Sequence, residues 1–255
     1  MDIILIGSGN TATILGRKSL AVGHRIIQVY SRQKEHAERL AQLLHTAGTS
    51  TVTAIEKKAD LMIVALADDA ILPFIKSAGK IPFPVAHTGG AVALDAVKNP
   101  GDMYGVLWPP QSLRREIEII PPLTLLVDAN KPESREVFMA FAHTIAEFVL
   151  EADDETRLKY HLAATLVNNF TNYLFATAEK FCEQENISFA VLQPLMEETV
   201  MRMRNISPSE TQTGPAIRND RHTLDKHRNL IKDNPALYKI YELFTQEIQK
   251  NSVRR

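Results

Sequence analysis

The 255-residue sequence has one cysteine, Cys182, so no internal disulfide can form. No basic segment leading into an apolar stretch stands ahead of the first motif, which leaves secretion without support and reads as cytoplasmic. No apolar run approaches the roughly 18 residues of a membrane span, which excludes a transmembrane protein. Neither charge sign dominates. Twenty-nine Lys and Arg face 30 Asp and Glu, for a formal net charge of -1. That balance argues against nucleic acid or an anionic membrane as the main partner, because neutralising phosphates takes a clustered cationic excess. The expected partner is a small molecule. A GxSxG nucleophile elbow is also missing. His222 and His227, at i and i+5, would lie about 140° apart on a helix, so no metal site is expected. The sequence has no internal repeat and no low-complexity tract.

What is present is ordinary globular material, 45% hydrophobic and 23% charged, with disorder expected only at the "NSVRR" tail. At ~150 residues per domain, the length suggests about two domains. In the first half, short apolar runs ("DIILIG", "RIIQVYS", "ADLMIVAL", "FPVAH") alternate with amphipathic stretches ("ATILGRKSLAV", "KEHAERLAQLL", "AILPFIKSA"). Parallel strands buried on both faces have this pattern, so a doubly wound α/β sheet is expected. "YGVLW", "LTLLVDA" and "REVFMAFAHTIAEFV" should add strands and a helix to it. From about residue 150 the pattern changes. "LEADDETRLKYHLAATLVNNFTNYLFATAEKFCEQ" has no Gly or Pro and reads as helix, with Asp153 or Asp154 as its N-cap and Glu155 complementing the dipole. Three more helical stretches come after it, the first with a kink at Pro194. The expected division is an α/β Rossmann-like domain over 1–150 and an all-helical domain over 151–255.

The turn "IILIGSGNTATIL" leads directly from strand to helix. Gly7 allows a tight turn, Gly9 lets a pyrophosphate approach the backbone, and small Ala12 keeps helix and strand close, while Ser8, Asn10 and Thr11 complete the loop. At the end of the second strand, where a carboxylate would accept the ribose hydroxyls of NAD, the sequence has Ser31-Arg32. A hydroxyl and a guanidinium suit a 2'-phosphate, so NADP is favoured over NAD. "LMIVAL" ends in Ala67-Asp68-Asp69; one aspartate is expected to cap the next helix, leaving the Leu66-Ala67 backbone to pack on the cofactor. His87 and Thr88 leave the next strand where ligands sit in open α/β sheets. His87 then either faces the nicotinamide or caps its own loop.

On the long helix His161, Thr165, Asn168 and Asn172 lie at i, i+4, i+7 and i+11, all within about 40° of His161. Asparagines are poor helix formers. Asn168, Asn169 and Asn172 therefore mark either a polar site or amides buried at a dimer interface. His161 is the only side chain of this stripe able to exchange a proton near neutral pH. Further on, "ETQTGPAIRND" breaks the helices at Gly214-Pro215. Gln212, Thr213 and Arg218 could line a substrate pocket there, with Arg218 gripping a carboxylate or pairing with a surface acid, and Asp220 capping the next helix.

In chain order, "GSGNTAT", "VYSR", "ALADDAI", "AHTGGAV", "YGVLWPPQSL", "HLAATLVNNFTNYLF", "LMEET" and "QTGPAIRND" resemble a bacterial family of NADP-dependent oxidoreductases that joins a Rossmann-like domain to a helical domain of unassigned function. Its wider relatives are the pyrroline-5-carboxylate reductases, the 6-phosphogluconate and β-hydroxyacid dehydrogenases, and the deazaflavin-dependent NADP reductases. The resemblance implies a homodimer formed through the helical domain and a substrate at the domain interface. It names no substrate. Where the β-hydroxyacid dehydrogenases carry a catalytic Lys followed by Asn, this sequence has "TLVNN", with Thr165 or a neighbour in place of the Lys. Two functions are consistent with these features: an NADP(H)-dependent oxidoreductase acting on a small polar, carboxylate-bearing substrate, and a non-catalytic NADP(H)-binding redox sensor.

Overall fold

A computed structural model describes residues 1–98 and 103–252. The chain divides into two compact units, 1–170 and 171 onwards. The cut falls inside the long helical stretch, some 20 residues beyond the change in sequence pattern near 150.

The first unit is built on an eight-stranded sheet of order β3-β2-β1-β4-β5-β6-β7-β8. Its strands are β1 (Asp2–Ile6), β2 (Arg25–Tyr30), β3 (Ala47–Thr49), β4 (Leu61–Val64), β5 (Val85–His87), β6 (Tyr104–Trp108), β7 (Thr124–Ala129) and β8 (Phe148–Glu151). The first six are parallel; β7 runs antiparallel to β6, and β8 parallel to β7. This is the doubly wound α/β arrangement, and the strand order reverses between β1 and β4.

Burial explains the continuous apolar runs. Ile3, Leu5, Leu61, Ile63 and Ala86 pack on one face with Ile14, Leu15, Phe138 and Phe141. Ile4, Ile6, Met62, Val64 and Val85 pack on the other with Ile71 and Phe74. The helices behind these contacts are α1 (Asn10–Ala21), α2 (Lys34–Leu43), α3 (Asp68–Ala78) and α4 (Pro132–Ile145). α4 stops at Ile145, and the remainder of "REVFMAFAHTIAEFV" crosses into β8. The three-residue β3 has no sequence counterpart among the expected strands, because "AGT" is too short and too small to show as an apolar run.

The N-terminal end of the long helical stretch, α5 (Asp154–Ala164), closes this unit. Asp153 is its cap, accepting the Thr156 N–H at 2.8 Å. A π-helical turn, Thr165–Phe170, continues from it. The second unit contains α6 (Thr171–Gln184), α7 (Gln193–Arg202), α8 (Arg221–Leu230) and α9 (Pro235–Ser252).

Three local expectations change. Pro194 does not kink a continuous helix but stands in the first turn of α7, after a separate 3-10 turn over Phe189–Leu192, where its missing N–H leaves no bond unmade. Neither Asp68 nor Asp69 caps α3. Ala67 is its N-cap, and both aspartates lie in its first turn, facing the positive end of the dipole. Of the tail, Asn251 and Ser252 finish α9, and 253–255 lie outside the described residues. Among the described residues no helix is long and apolar enough to cross a membrane.

Candidate active site at the carboxyl edge of the sheet

Because β1, β4, β5 and β6 are parallel, their carboxyl ends open on one edge. The Gly7–Ala12 turn, Ala65–Ala67, His87–Thr88 and the Trp108–Gln111 segment all begin there. Gly7 has φ +117°, and a Cβ on it would fall 2.2 Å from the Ala65 carbonyl oxygen. Only glycine lets β1 turn this close to β4. Gly9 differs: nothing lies within 4 Å of where its Cβ would be. No side chain caps α1 and no acid stands in its first turn. The first N–H groups of a 12-residue helix thus have no side-chain cap, and buried Ala12 keeps the helix against the strand. These features fit a dinucleotide pyrophosphate.

The end of β2 is tied to this turn. The Ser8 hydroxyl donates to Ser31 Oγ at 2.9 Å, and the Ser31 N–H donates to the Thr49 carbonyl at 3.0 Å. Arg32 is exposed and makes no ion pair among the described residues. Asn10 accepts the Arg115 N–H at 3.4 Å through its side chain. Leu66 is half-buried and Ala67 exposed at the end of β4.

His87 is enclosed at the end of β5. Its side chain has no exposed surface. Nδ1 accepts the Gly89 N–H at 3.1 Å, and Nε2–H donates to the Ala93 carbonyl at 3.2 Å. Burial, with the nearby Arg157 charge, pushes its pKa down to about 4. It is a neutral ring that fixes its own loop, the second of the two roles open to it in the sequence. Half-buried Thr88 continues the edge, donating its N–H to the Val64 carbonyl at 3.2 Å.

Arg157, buried on α5, braces the same loop. Its Nη2 donates to the Val92 carbonyl and to Asp154, both at 2.5 Å, and its Nη1 lies 3.5 Å from Asp128. Asp154 in turn accepts the Leu94 N–H at 2.9 Å. Local sequence gives no sign of this role, since an arginine in "DDETRLK" looks like an exposed partner of its neighbouring acids. The chain that buries it is distant in sequence.

The loop so held presses Gly90 against Trp108 and His161. The two rings lie 5.6 Å apart at 55°. Beside them opens a pocket of about 480 Å³ lined by Trp108 to Ser112 from the end of β6, and by His161, Ala164, Thr165, Val167, Asn168 and Asn169. Asn168 Nδ2 donates to Ser112 Oγ, and Thr165 Oγ1 to the His161 carbonyl at 3.0 Å.

The expected stripe is therefore only partly realised. His161, Thr165 and Asn168 meet in the pocket, but a π turn takes more residues per turn than an α-helix and shifts the phase of the helix beyond it. Asn169 lines the pocket instead of Asn172, which is exposed on α6 in the second unit. Gln212, Thr213 and Arg218 are also exposed in that unit. Gln212 Nε2 donates to the Thr213 carbonyl at 3.0 Å, and Arg218 has no ion pair among the described residues. Asp220 caps α8 by accepting the Thr223 N–H at 3.1 Å. His227 Nδ1 meets the Tyr241 hydroxyl at 2.9 Å. Among the described residues no group of three His, Cys, Asp or Glu could hold a metal ion.

Known proteins match both parts of the chain. Residues 2–81 match the family described as NADP oxidoreductase, coenzyme F420-dependent, and residues 123–248 match a domain of unknown function, DUF2520. The solved structure of BF3122 from Bacteroides fragilis, which carries a provisional NADP oxidoreductase assignment, is 33% identical, with 98% of each chain covered and a TM-score of 0.91. More distant structures share the fold. Pyrroline-5-carboxylate reductase from Streptococcus pyogenes is 12% identical, with 98% of each chain covered and a TM-score of 0.66. A reductive aminase from Aspergillus terreus, in complex with NADPH and ethyl-5-oxohexanoate, is 16% identical over 96% of this chain and 94% of that one, with a TM-score of 0.67. No curated protein matches the chain. With its glycine turn on a doubly wound sheet, the chain belongs to the NADP oxidoreductase family in which a domain of the F420-dependent type precedes DUF2520.

Proposed function

We propose that the protein is an NADP(H)-dependent oxidoreductase that reduces, or in reverse oxidises, a small polar carbonyl or imine compound in the Trp108–His161 pocket. In this reading residues 1–150 hold the dinucleotide, and the helical remainder, 151–255, serves substrate binding and self-association as a homodimer. The observation that carries the reading is the common edge: the open glycine turn and the pocket both sit at carboxyl ends of parallel strands of one sheet. The cofactor, when bound, supplies or accepts the hydride.

The chain's own groups do the rest. Gly7 to Ala12 hold the pyrophosphate, while Ser31 and Arg32 meet the 2'-phosphate. Leu66, Ala67 and Thr88 border the cofactor along the sheet edge. His161 is the one imidazole among the described residues lining the pocket, so it donates to the substrate heteroatom during reduction and takes the proton back in oxidation. Asn168 and Asn169 orient the substrate by hydrogen bonds, and Trp108 supplies an apolar wall. The pocket lining has no Lys or Arg, so a polar but uncharged substrate group fits it better than the expected carboxylate. NADPH complexed to the Aspergillus terreus reductive aminase supports the cofactor choice.

The test is a metabolite screen with NADPH, read through its nicotinamide absorbance. Consumption of NADPH with a carbonyl or imine compound, and its loss in His161→Ala, is the expected result. Tight NADPH binding without turnover on any compound would leave the sensor reading in its place. Substituting Arg32→Glu should weaken NADPH by about 1 to 3 kcal/mol and NADH much less.

A further inference from the structure

Helices dock on a sheet through an apolar stripe, and α1 to α4 do so here. The helix that carries His161 does not. The only buried side chain of α5 is Arg157, whereas Leu158 and Leu162 are exposed. One guanidinium therefore makes the attachments. Its Nη2 donates at 2.5 Å to the Val92 carbonyl, in the loop after β5, and at 2.5 Å to Asp154, in the first turn of α5 itself. Its Nη1 lies 3.5 Å from Asp128 on β7. Asp154 completes the clasp by accepting the Leu94 N–H at 2.9 Å. Loop, sheet and helix meet at a single side chain.

Such a cluster is a poor source of stability. Taking a guanidinium out of water is costly, and neither Nε nor Nη1 makes a hydrogen bond that would offset it. Apolar residues of similar volume often hold a fold as well or better. What a rigid, forked donor supplies instead is one fixed arrangement. That arrangement reaches the pocket. Arg157 and His161 are four residues apart on α5 and so share a face, and Gly90, two residues before Val92, is pressed against both His161 and Trp108.

Resting on the assignment of His161 to the pocket reaction above, we propose that Arg157 is a positioning residue: by tying α5 to the Val92 loop and to β7, it sets the His161 ring against Gly90 and Trp108. The guanidinium is not part of the pocket lining. It acts on the reaction through His161, where a displacement of about 1 Å can cost on the order of a hundredfold in rate.

Arg157→Lys and the double variant Arg157→Met with Asp128→Asn test this. The double variant removes the charge together with its partner on β7, and should melt within a few degrees of the wild type. Lysine keeps the charge but, as a point donor, not the fork. In spectra of the isotope-labelled histidine rings, the ring current of the Trp108 indole displaces the His161 signals from their free-imidazole positions. In both variants that displacement should shrink while the His36 and His227 signals stay in place, and the Kd for NADPH should remain within about twofold. With the carbonyl or imine compound that the NADPH screen identifies, kcat should fall about 10- to 100-fold and KM change by less than about threefold. Unchanged His161 signals in both variants overturn the proposal, as does a displaced ring with unaltered kcat; if the double variant unfolds, the lysine variant decides on the same readings. Wild-type protein that consumes NADPH with no compound overturns the pocket reaction and the role built on it, and the ring spectra then distinguish that failure from one in which Arg157 does not place His161 at all.

Discussion

The His161 imidazole and the Trp108 indole lie 5.6 Å apart, centroid to centroid, and Gly90 is wedged against both. A Cβ on Gly90 would come within 2.6 Å of His161 Cδ2 and 2.7 Å of Trp108 Cε2. The clash involves rings on two packed elements, not the free end of a flexible side chain. Gly90→Ala should therefore push the rings apart, destabilise the fold by roughly 1–3 kcal/mol as overpacking does, and lower turnover. Thermal unfolding alongside steady-state kinetics checks it. Unaltered stability and turnover would mean that the loop, and not the rings, gives way.

His161→Ala should reduce kcat by about 10²- to 10⁴-fold, the range for loss of a general acid, while the Kd for NADPH stays within about twofold. Asn168→Ala should act chiefly on KM, since that side chain orients the substrate. A His161 variant that loses NADPH affinity but keeps kcat would remove the proposed role.

The two glycines of the turn should fail in different ways. Gly7→Ala places a Cβ on the Ala65 carbonyl in a backbone conformation L-residues rarely adopt, and should lower stability by at least about 1 to 3 kcal/mol. Gly9→Val projects into open space and should leave the unfolding midpoint nearly unchanged while abolishing dinucleotide binding. If Gly9→Val still binds NADPH, the pyrophosphate does not lie on this turn.

His87 sets a pH dependence. Its folded pKa of about 4 lies below the 6.5 of a free imidazole, mainly through burial and next through the Arg157 charge. Between those values the unfolded chain binds the extra proton. Stability from this group is thus full above about pH 6.5, declines as the pH falls, and levels off below about pH 4, for a total on the order of 3 kcal/mol. Urea midpoints measured across the window should show the decline, and His87→Asn, which cannot titrate, should flatten it. Parallel curves for the two proteins would contradict the buried, neutral ring.

Self-association is expected through the helical part, where α9 exposes Leu243 and Phe244. Light scattering should give about twice the 28.5 kDa chain mass; a concentration-independent monomer would refute the homodimer.

The parts of this molecule that local sequence makes legible are those where local physics decides the outcome. Gly7 can be read because a strand-to-helix turn this close to the neighbouring strand needs glycine there, and the buried parallel strands because burial on both faces requires unbroken apolar runs. The pocket is only half legible. Helical spacing finds His161, Thr165 and Asn168, but the π turn at Thr165–Phe170 breaks the 3.6-residue period on which that spacing relies, so it points to Asn172 where the fold brings Asn169 to the pocket lining. Trp108 to Ser112 look like the end of a strand and a proline-rich turn until distant α5 packs beside them. His87 is ambiguous in sequence for the same reason. The partners of its ring nitrogens, Gly89 and Ala93, are close in sequence, but only the folded loop decides which way the ring faces.

The indole of Trp108 carries a practical consequence. It is the chain's only tryptophan, and it forms a wall of the pocket next to the His161 ring. Excited beyond the tyrosine absorption band, intrinsic emission from this protein therefore originates at a single place, free of background from other indoles. A compound entering the pocket changes the polarity around that fluorophore. The native chain is its own label, so occupancy can be followed optically, before any turnover assay exists.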